Sequence, residues 1–479
     1  MEIVGAVLLG LLCLLLLLVL IAVIRTLLKP RKVSAWKPVI DPAREELYAK
    51  KLSEMVQYET VSRVGDVQRE KFLGFHKVLE ELFPLVHKNL EKTEIEGSLL
   101  YYWEGKNHDK PIVLMAHQDV VPAEGEWQHA PFSGDIEDGK VWGRGSADTK
   151  CSLMAFFQAA EELLEQGYMP EQDVYISSSN TEEIGGPGCP ALVAEMKRRG
   201  VKPYLVCDEG GAIVTEPIAG FPGNYAMIGV LEKGMGNLKI TAKSNGGHSS
   251  YPPKNSPIAR LAKFVTDIEK HDPMKAAFEP AVQAMFESLA DYGSFAYRLL
   301  FGNFWLFRPL LTVLLPKVSS QAGALLKTTV AFTQQSGSEG TNVLPQEASL
   351  VINLRYIPHQ GIEESEAIIR KIAAKYDLSV ERIAANYDYL PPVSIESDAY
   401  HLVEEVTKEV FPELPVCPYV MTGGTDARFY QEICDACLRF SPVVYGPAQM
   451  KGMHGLNECI DTFSLPGAVD FYKTLIQKM

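Results

Sequence analysis

The sequence predicts an α/β fold: a mixed, mostly parallel sheet held between helices, with a smaller α+β unit and one membrane-length helix at the N-terminus. Three observations carry this reading. Short apolar runs at 113–115, 174–177 and 204–207 each end in histidine or carboxylates. Between the first two runs, Leu153, Met154, Phe156, Phe157, Ala160, Leu163 and Leu164 recur at helical spacing. The length of 479 residues exceeds one ordinary core and suits two domains plus a terminal segment. Buried parallel strands read as continuous apolar runs, and their functional groups gather at the carboxyl ends of the strands.

The first element is residues 3–24, which carry no charge and exceed the roughly 20 apolar residues that cross a bilayer. A cleaved leader needs a basic start and a small-residue cleavage site. This chain opens Met1-Glu2 and leaves the apolar run through Arg25, Lys29, Arg31 and Lys32, so it reads as an uncleaved, single-pass anchor in a lipid bilayer. Those four cations would keep the following domain in the cytoplasm by the positive-inside rule, but the side on which that domain lies stays open. No Asn-x-Ser/Thr acceptor supports a glycosylated ectodomain. The net charge of −14 argues against nucleic acid as a partner, because phosphates need a basic surface. Eight scattered cysteines make no disulfide framework, and Cys434 and Cys437, which lack a second pair, read as buried thiols.

The motifs then follow in chain order. In His117-Gln118-Asp119, alternate residues of a strand face one side, so the aspartate can hold the imidazole of a metal ligand. The glycine-punctuated loop Trp142-Gly143-Arg144-Gly145-Ser146-Ala147-Asp148 runs into a helix, where an aspartate more often serves as a cap. Glu182 and Glu183 are adjacent in extended chain and point opposite ways, so one can bind a metal while the other faces the water it activates. Asp208 and Glu209 end the next strand, and His454 stands near the C-terminus. Two histidines and three or four carboxylates, with no cysteine, suit a hydrolytic metal site with oxygen and nitrogen ligands rather than a closed structural zinc.

The stretches Met115-Ala116-His117-Gln118-Asp119-Val120-Val121-Pro122, Trp127-Gln128-His129-Ala130-Pro131-Phe132-Ser133-Gly134, Gly143-Arg144-Gly145-Ser146-Ala147-Asp148-Thr149-Lys150 and Thr181-Glu182-Glu183-Ile184-Gly185-Gly186 carry a resemblance. From about residue 40 onward the chain resembles the co-catalytic zinc peptidases, which include carboxypeptidase S, glutamate carboxypeptidase, aminoacylase and succinyl-diaminopimelate desuccinylase. Asp208-Glu209-Gly210-Gly211 and a hydrophobic insertion place it nearest the carboxypeptidase S and N-fatty-acyl-amino-acid synthase/hydrolase branch.

The resemblance implies a zinc peptidase-type catalytic domain interrupted by a lid/dimerisation domain. Residues 1–32 would be the anchor, 40–234 and 388–479 the catalytic domain, and 235–387 the lid, through which a homodimer would form. It also implies two zinc ions per subunit. Asp148 would bridge them, His117 and Asp208 would complete one site, and Glu183 and His454 the other. Related enzymes place either aspartate or glutamate at the fourth strand end, and Asp208 is favoured over Glu209. Asp119 would orient His117, and Glu182 would be the general base. His248 would be an oxyanion donor that reaches the substrate across the dimer in some relatives. Asn342 would touch substrate, and Arg355, helped by backbone donors near Gly424, would hold its carboxylate. Cobalt or manganese can occupy the same ligands.

The implied activity is cleavage of the amide beside a C-terminal amino acid, in a peptide or an N-acyl amino acid. Condensation of a fatty acid with an amino acid is the reverse of the same reaction. A silent binding protein on this fold would have little need for the full set of His117, Asp148, Glu182, Glu183, Asp208 and His454.

Within the lid, 238–242, 328–332 and 350–355 read as strands, and 256–270 and 363–375 as helices. Residues 295–316 form a second apolar stretch whose only charges are Arg298 and Arg308. Two prolines and these arginines argue against a span, so the stretch is expected as a buried helical insertion packing on the lid. The sharper alternative is an apolar surface that lies on the bilayer or admits acyl chains.

Overall fold

The computed structural model describes residues 2–66, 68–383 and 386–479. Along the chain come α1 (Glu2–Leu28), α2 (Pro42–Gln57), β1 (Glu91–Ile95), β2 (Ser98–Trp103), β3 (Asn107–Met115), α3 (Lys150–Glu165), β4 (Gln172–Ser178), α4 (Gly188–Arg198), β5 (Leu205–Thr215) and β6 (Asn224–Glu232). Then follow β7 (Gly234–Lys243), α5 (Pro257–His271), α6 (Pro280–Ala290), α7 (Phe295–Phe301), α8 (Phe304–Val318), α9 (Ser320–Leu326), β8 (Thr329–Ser336), β9 (Glu347–Tyr356), α10 (Ile362–Ala374) and β10 (Ser379–Arg382). The chain closes with β11 (Val416–Met421), β12 (Cys437–Tyr445) and α11 (Ser464–Lys478).

Eight of these strands form one sheet in the order β1-β2-β4-β3-β5-β12-β6-β11. Its centre, β4-β3-β5-β12, is parallel, with Leu114 of β3 opposite both Ile176 and Cys207. Antiparallel pairings on both sides make the sheet mixed. The central strands bury both faces, which is why they read as unbroken apolar runs. Leu114, Ile176, Leu205 and Cys207 meet Phe156 and Phe157 of α3 and Phe471 of α11. On the opposite face, Val113, Tyr175 and Val206 meet Leu192 and Met196 of α4. α2 begins where Pro42 fixes the first turn and the Asp41 carboxylate accepts the Arg44 N–H at 3.2 Å.

A four-stranded sheet, β8-β9-β7-β10, forms a second core. Leu350, Ile352 and Leu354 alternate onto one face and pack with Leu238 and Ile240 of β7, Leu261 and Phe264 of α5, and Ile369 of α10. Period-two alternation of this kind fixes the register, since a one-residue slip would expose the whole face. Only Lys233 separates β6 of the large sheet from β7 of the small one.

The hydrophobic insertion departs from expectation. Helices α6 to α9 pack on the large core through Val282, Phe286, Leu289, Phe301, Phe304, Leu311 and Leu325, and not on the four-stranded sheet. The physical reason lies at β11, an edge strand of the large sheet, whose exposed flank the apolar face of α6 covers. α7 and α8 meet at 104° around Gly302 and Asn303. α1 is long and apolar enough to cross a membrane, and its C-terminal turns rest against α7 and α8.

Candidate active site

The site forms beyond the ends of β3 and β4 and beside Glu209 within β5. The His117 ring is buried, with Nε2 3.1 Å from Asp148 Oδ1 and 3.2 Å from Glu209 Oε1. Its Nδ1 lies 2.8 Å from the carbonyl oxygen of Asp119 and 3.5 Å from that residue's carboxylate. The main-chain carbonyl is therefore the nearer orienting partner, and the Asp119 carboxylate is occupied elsewhere. It accepts the Ser62 hydroxyl at 2.6 Å and the backbone N–H groups of Glu182 and Glu183 at 3.1 and 3.2 Å. Asp119 thus ties the end of β3 to the paired glutamates after β4.

Asp148 stands between the two histidines. Its other oxygen is 3.1 Å from His454 Nε2, which is also 3.1 Å from Glu183 Oε2. Two groups result, His117–Asp148–Glu209 and Asp148–Glu183–His454, and within each the candidate ligand atoms lie no more than 4.8 Å apart. The loop that presents Asp148 is held by Glu458, four residues after His454, to which the sequence alone assigns no role. Glu458 Oε1 accepts the N–H groups of Gly145, Ala147 and Asp148 at 2.9–3.0 Å, while Oε2 pairs with Arg144 at 2.6 Å. Gly145 adopts φ +85°, and a Cβ there would meet Val120 at 2.6 Å.

Asp208, the expected ligand, is in neither group, and Glu209 rather than Asp208 stands beside His117 and Asp148. The Asp208 carboxylate lies on the opposite face of β5 and accepts the Ala427 N–H at 2.8 Å. The adjacent Asp426 bonds the Ser179 hydroxyl. Burial pushes Asp426 up to about 7 and Glu209 up to about 8, with His117 opposing the Glu209 shift and Asp148 adding to it. Burial likewise lifts Glu182 well above the carboxylate range, with His117 opposing and Asp426, Glu209 and Glu183 adding. His454 is raised to about 10 by its bonds to Asp148 and Glu183. Carboxylates are thus crowded in a buried place with too little positive charge around them. Divalent cations meet that need, and imidazole and carboxylate donors without thiolate suit zinc.

Beside these groups opens a cavity of about 1550 Å³ lined by Asp148, Glu182, Glu183, Glu209 and His454. Arg355 and Gly424 also line it, so these two expected substrate contacts come together with the candidate metal ligands. Gly424 is needed for close approach, since a Cβ would meet the Tyr387 hydroxyl at 2.5 Å. Arg428, which the sequence reading passed over, adds a second guanidinium to the wall. It lies over the rings of Phe429 and Tyr387 at 4.4 and 5.0 Å and donates to the Thr425 carbonyl at 2.8 Å. Its signal is the Gly423-Gly424-Thr425-Asp426 run, which Ala427 and Arg428 directly follow. His248 and Asn342 do not line this cavity. They are exposed neighbours on the small sheet's side, where the Ser249 N–H donates to the Asn342 carbonyl at 3.1 Å.

Fold and site together are those of a metallohydrolase. The chain belongs to Peptidase family M20/M25/M40, whose pattern matches residues 113–478. It is 32% identical over 442 residues to the probable carboxypeptidase S-like 2 of Dictyostelium discoideum, covering 90% of this chain and 84% of that protein. It is 34% identical over 479 residues to the N-fatty-acyl-amino acid synthase/hydrolase PM20D1 of Xenopus tropicalis, covering 96% and 93%. The M20 family metallo-carboxypeptidase Sso-CP2 of Sulfolobus solfataricus shares the fold at a TM-score of 0.67 and 19% identity, over 91% of this chain and 99% of that one.

Proposed function

We propose that the chain is a membrane-anchored di-zinc amidohydrolase that cleaves the amide beside a C-terminal amino acid, with N-acyl amino acids favoured over short peptides. The observation that carries this is the pair of donor groups sharing Asp148 next to Glu182, in a cavity that also holds Arg355 and Arg428. His117, Asp148 and Glu209 would hold one zinc, and Asp148, Glu183 and His454 the other. Two such ions polarise a scissile carbonyl and bring the pKa of an attacking water toward neutrality. Glu182 takes the proton of that water on a carboxylate oxygen and delivers it to the amide nitrogen as the C–N bond breaks. Arg355 and Arg428 face the substrate's free carboxylate, which a guanidinium binds with two parallel hydrogen bonds. The cavity exceeds the roughly 300–1,000 Å³ of ordinary ligand sites, and Met285, Ala322 and Leu325 in its wall suit an acyl chain. The same machinery run backward condenses a fatty acid with an amino acid. Residues 3–24 would be the anchor in the bilayer.

Turnover of purified full-length enzyme on dipeptides and N-acyl amino acids, with added zinc and a chelator-treated control, tests this. Zinc-dependent release of free amino acid is expected, faster from long-chain N-acyl substrates; metal-independent release, or none from either class, refutes the reading. Glu182→Ala should keep its metal content while turnover falls by about 10²–10⁴-fold.

A further inference from the structure

We propose that α7 and α8 form a re-entrant, membrane-dipping portal that passes hydrocarbon-tailed substrate from a phospholipid leaflet into the catalytic cavity. The inference rests on the reading that residues 3–24 cross a bilayer, and it says where the rest of the molecule must then lie. Along α1 the covered positions are Leu18, Val19, Ala22, Val23 and Thr26, a stripe at helical spacing, while the remaining apolar side chains are exposed. That stripe rests on α7 and α8. From Leu18 to Ile24, the last residue of the apolar run, six steps of helix rise about 9 Å. The insertion therefore covers α1 well inside the hydrocarbon depth and must itself be submerged to about that extent.

The docking is fixed by polar contacts at the level where α1 leaves the apolar run. Arg298 donates to the carbonyl of Thr26 at 2.8 Å and to that of Lys29, and the Asn303 amide donates to the Thr26 hydroxyl at 3.1 Å. Lys29 and Lys32 both pair with Asp291, at 2.6 and 3.2 Å. Arg25 lies over the Trp305 ring at 6.0 Å, an aromatic and a cation where a headgroup layer would be. Further along α8 from Trp305, Leu310, Val313 and Leu314 are exposed. No face of a water-soluble helix needs this, whereas a leaflet covers it without cost.

The other side of the same helical unit faces the chemistry. Met285 of α6 and Ala322, Ala324 and Leu325 of α9 line the cavity that holds Glu182 and His454. One helical unit thus touches the anchor, the expected leaflet and the cavity. An acyl chain can slide along it while the amino acid end reaches the two arginines.

The test uses full-length enzyme in phosphatidylcholine vesicles. Brominated acyl chains should quench a fluorescence component that disappears in Trp305→Phe; an unquenched Trp305 in floating enzyme overturns the portal. The triple variant Leu310→Glu, Val313→Glu, Leu314→Glu should still float with the vesicles through α1. Its KM for an N-oleoyl amino acid should rise about tenfold or more, since charge in hydrocarbon is strongly disfavoured. Turnover of the N-acetyl analogue should be unchanged; equal effects on both substrates, or none on either, overturn the portal. Wild-type enzyme that fails to float refutes the anchor reading instead, while zinc-dependent turnover reports separately on the hydrolase reading.

Discussion

At the scale of single residues, strand parity decides between neighbours that chemistry cannot tell apart. Asp208 and Glu209 are neighbouring acids within β5, and either could bind a metal. Leu205 and Cys207 face α3, and Val206 faces α4, so Glu209 continues the first set and Asp208 the second. Glu209 stands 3.2 Å from His117 Nε2. On the other side, Asp208 receives the Ala427 N–H at the start of the short helix Ala427–Tyr430. Glu209→Gln should therefore lower metal content toward one ion per chain and remove turnover. Asp208→Asn, which keeps a carbonyl oxygen for Ala427, should retain both ions. Metal analysis of the two purified variants checks this; loss of an ion from Asp208→Asn with Glu209→Gln fully loaded would reverse the assignment.

At the scale of elements, the helix Arg69–Leu82 shows how a buried group couples support of the site to pH. Its His76 is buried, with Nε2 3.0 Å from the amide oxygen of Gln118, the residue between His117 and Asp119. Burial pushes His76 down to about 4, only partly offset by the Gln118 bond, whereas the ring titrates near 6.5 in an unfolded chain. Between those values the unfolded state binds the proton and the folded state does not. Stability is therefore full above pH 6.5 and falls as the pH drops toward 4, by about 3 kcal/mol from this group. His76→Gln should flatten the urea-measured loss between pH 7 and pH 4 by about that amount; identical pH profiles would show that His76 stays paired when protonated. The strands that build this site were legible because both faces of β3, β4 and β5 are apolar, and the lid helices because their apolar residues recur every three to four positions. The placement of α6 to α9 was not legible, since an apolar helix fits either core by composition. The edge of β11 that selects between them exists only once the sheet has formed. Glu458 was hidden for a related reason: its three N–H donors are brought to it by loop geometry across more than three hundred residues of chain.

At the scale of the whole molecule, a single residue joins β6 of the large sheet to β7 of the small one, and that joint helps set what the small sheet can reach. Lys233, buried between β6 and β7, donates to the carbonyls of Ala324 and Lys327 at 2.8 Å, which ties the joint to the end of α9. Arg355 of β9 lines the cavity, but His248 and Asn342 stand exposed outside its wall. The expected homodimer would bring His248 to another subunit's cavity, and the exposed outer strand β8 is an edge along which two copies can pair. A residue acting across a two-fold interface can be supplied by a partner that is itself dead. His248→Ala and Glu182→Ala should each be nearly inactive as homodimers. Co-expressed with two different tags and purified through both, the mixed dimer has one cavity with Glu182 intact and His248 reaching in from the other subunit. Turnover in that preparation should return to about half the wild-type value per dimer, because one of two equivalent sites is complete. A mixed dimer as inactive as its parents would place His248 outside the chemistry, and a single-chain molecular mass in detergent would remove the dimer on which the argument depends.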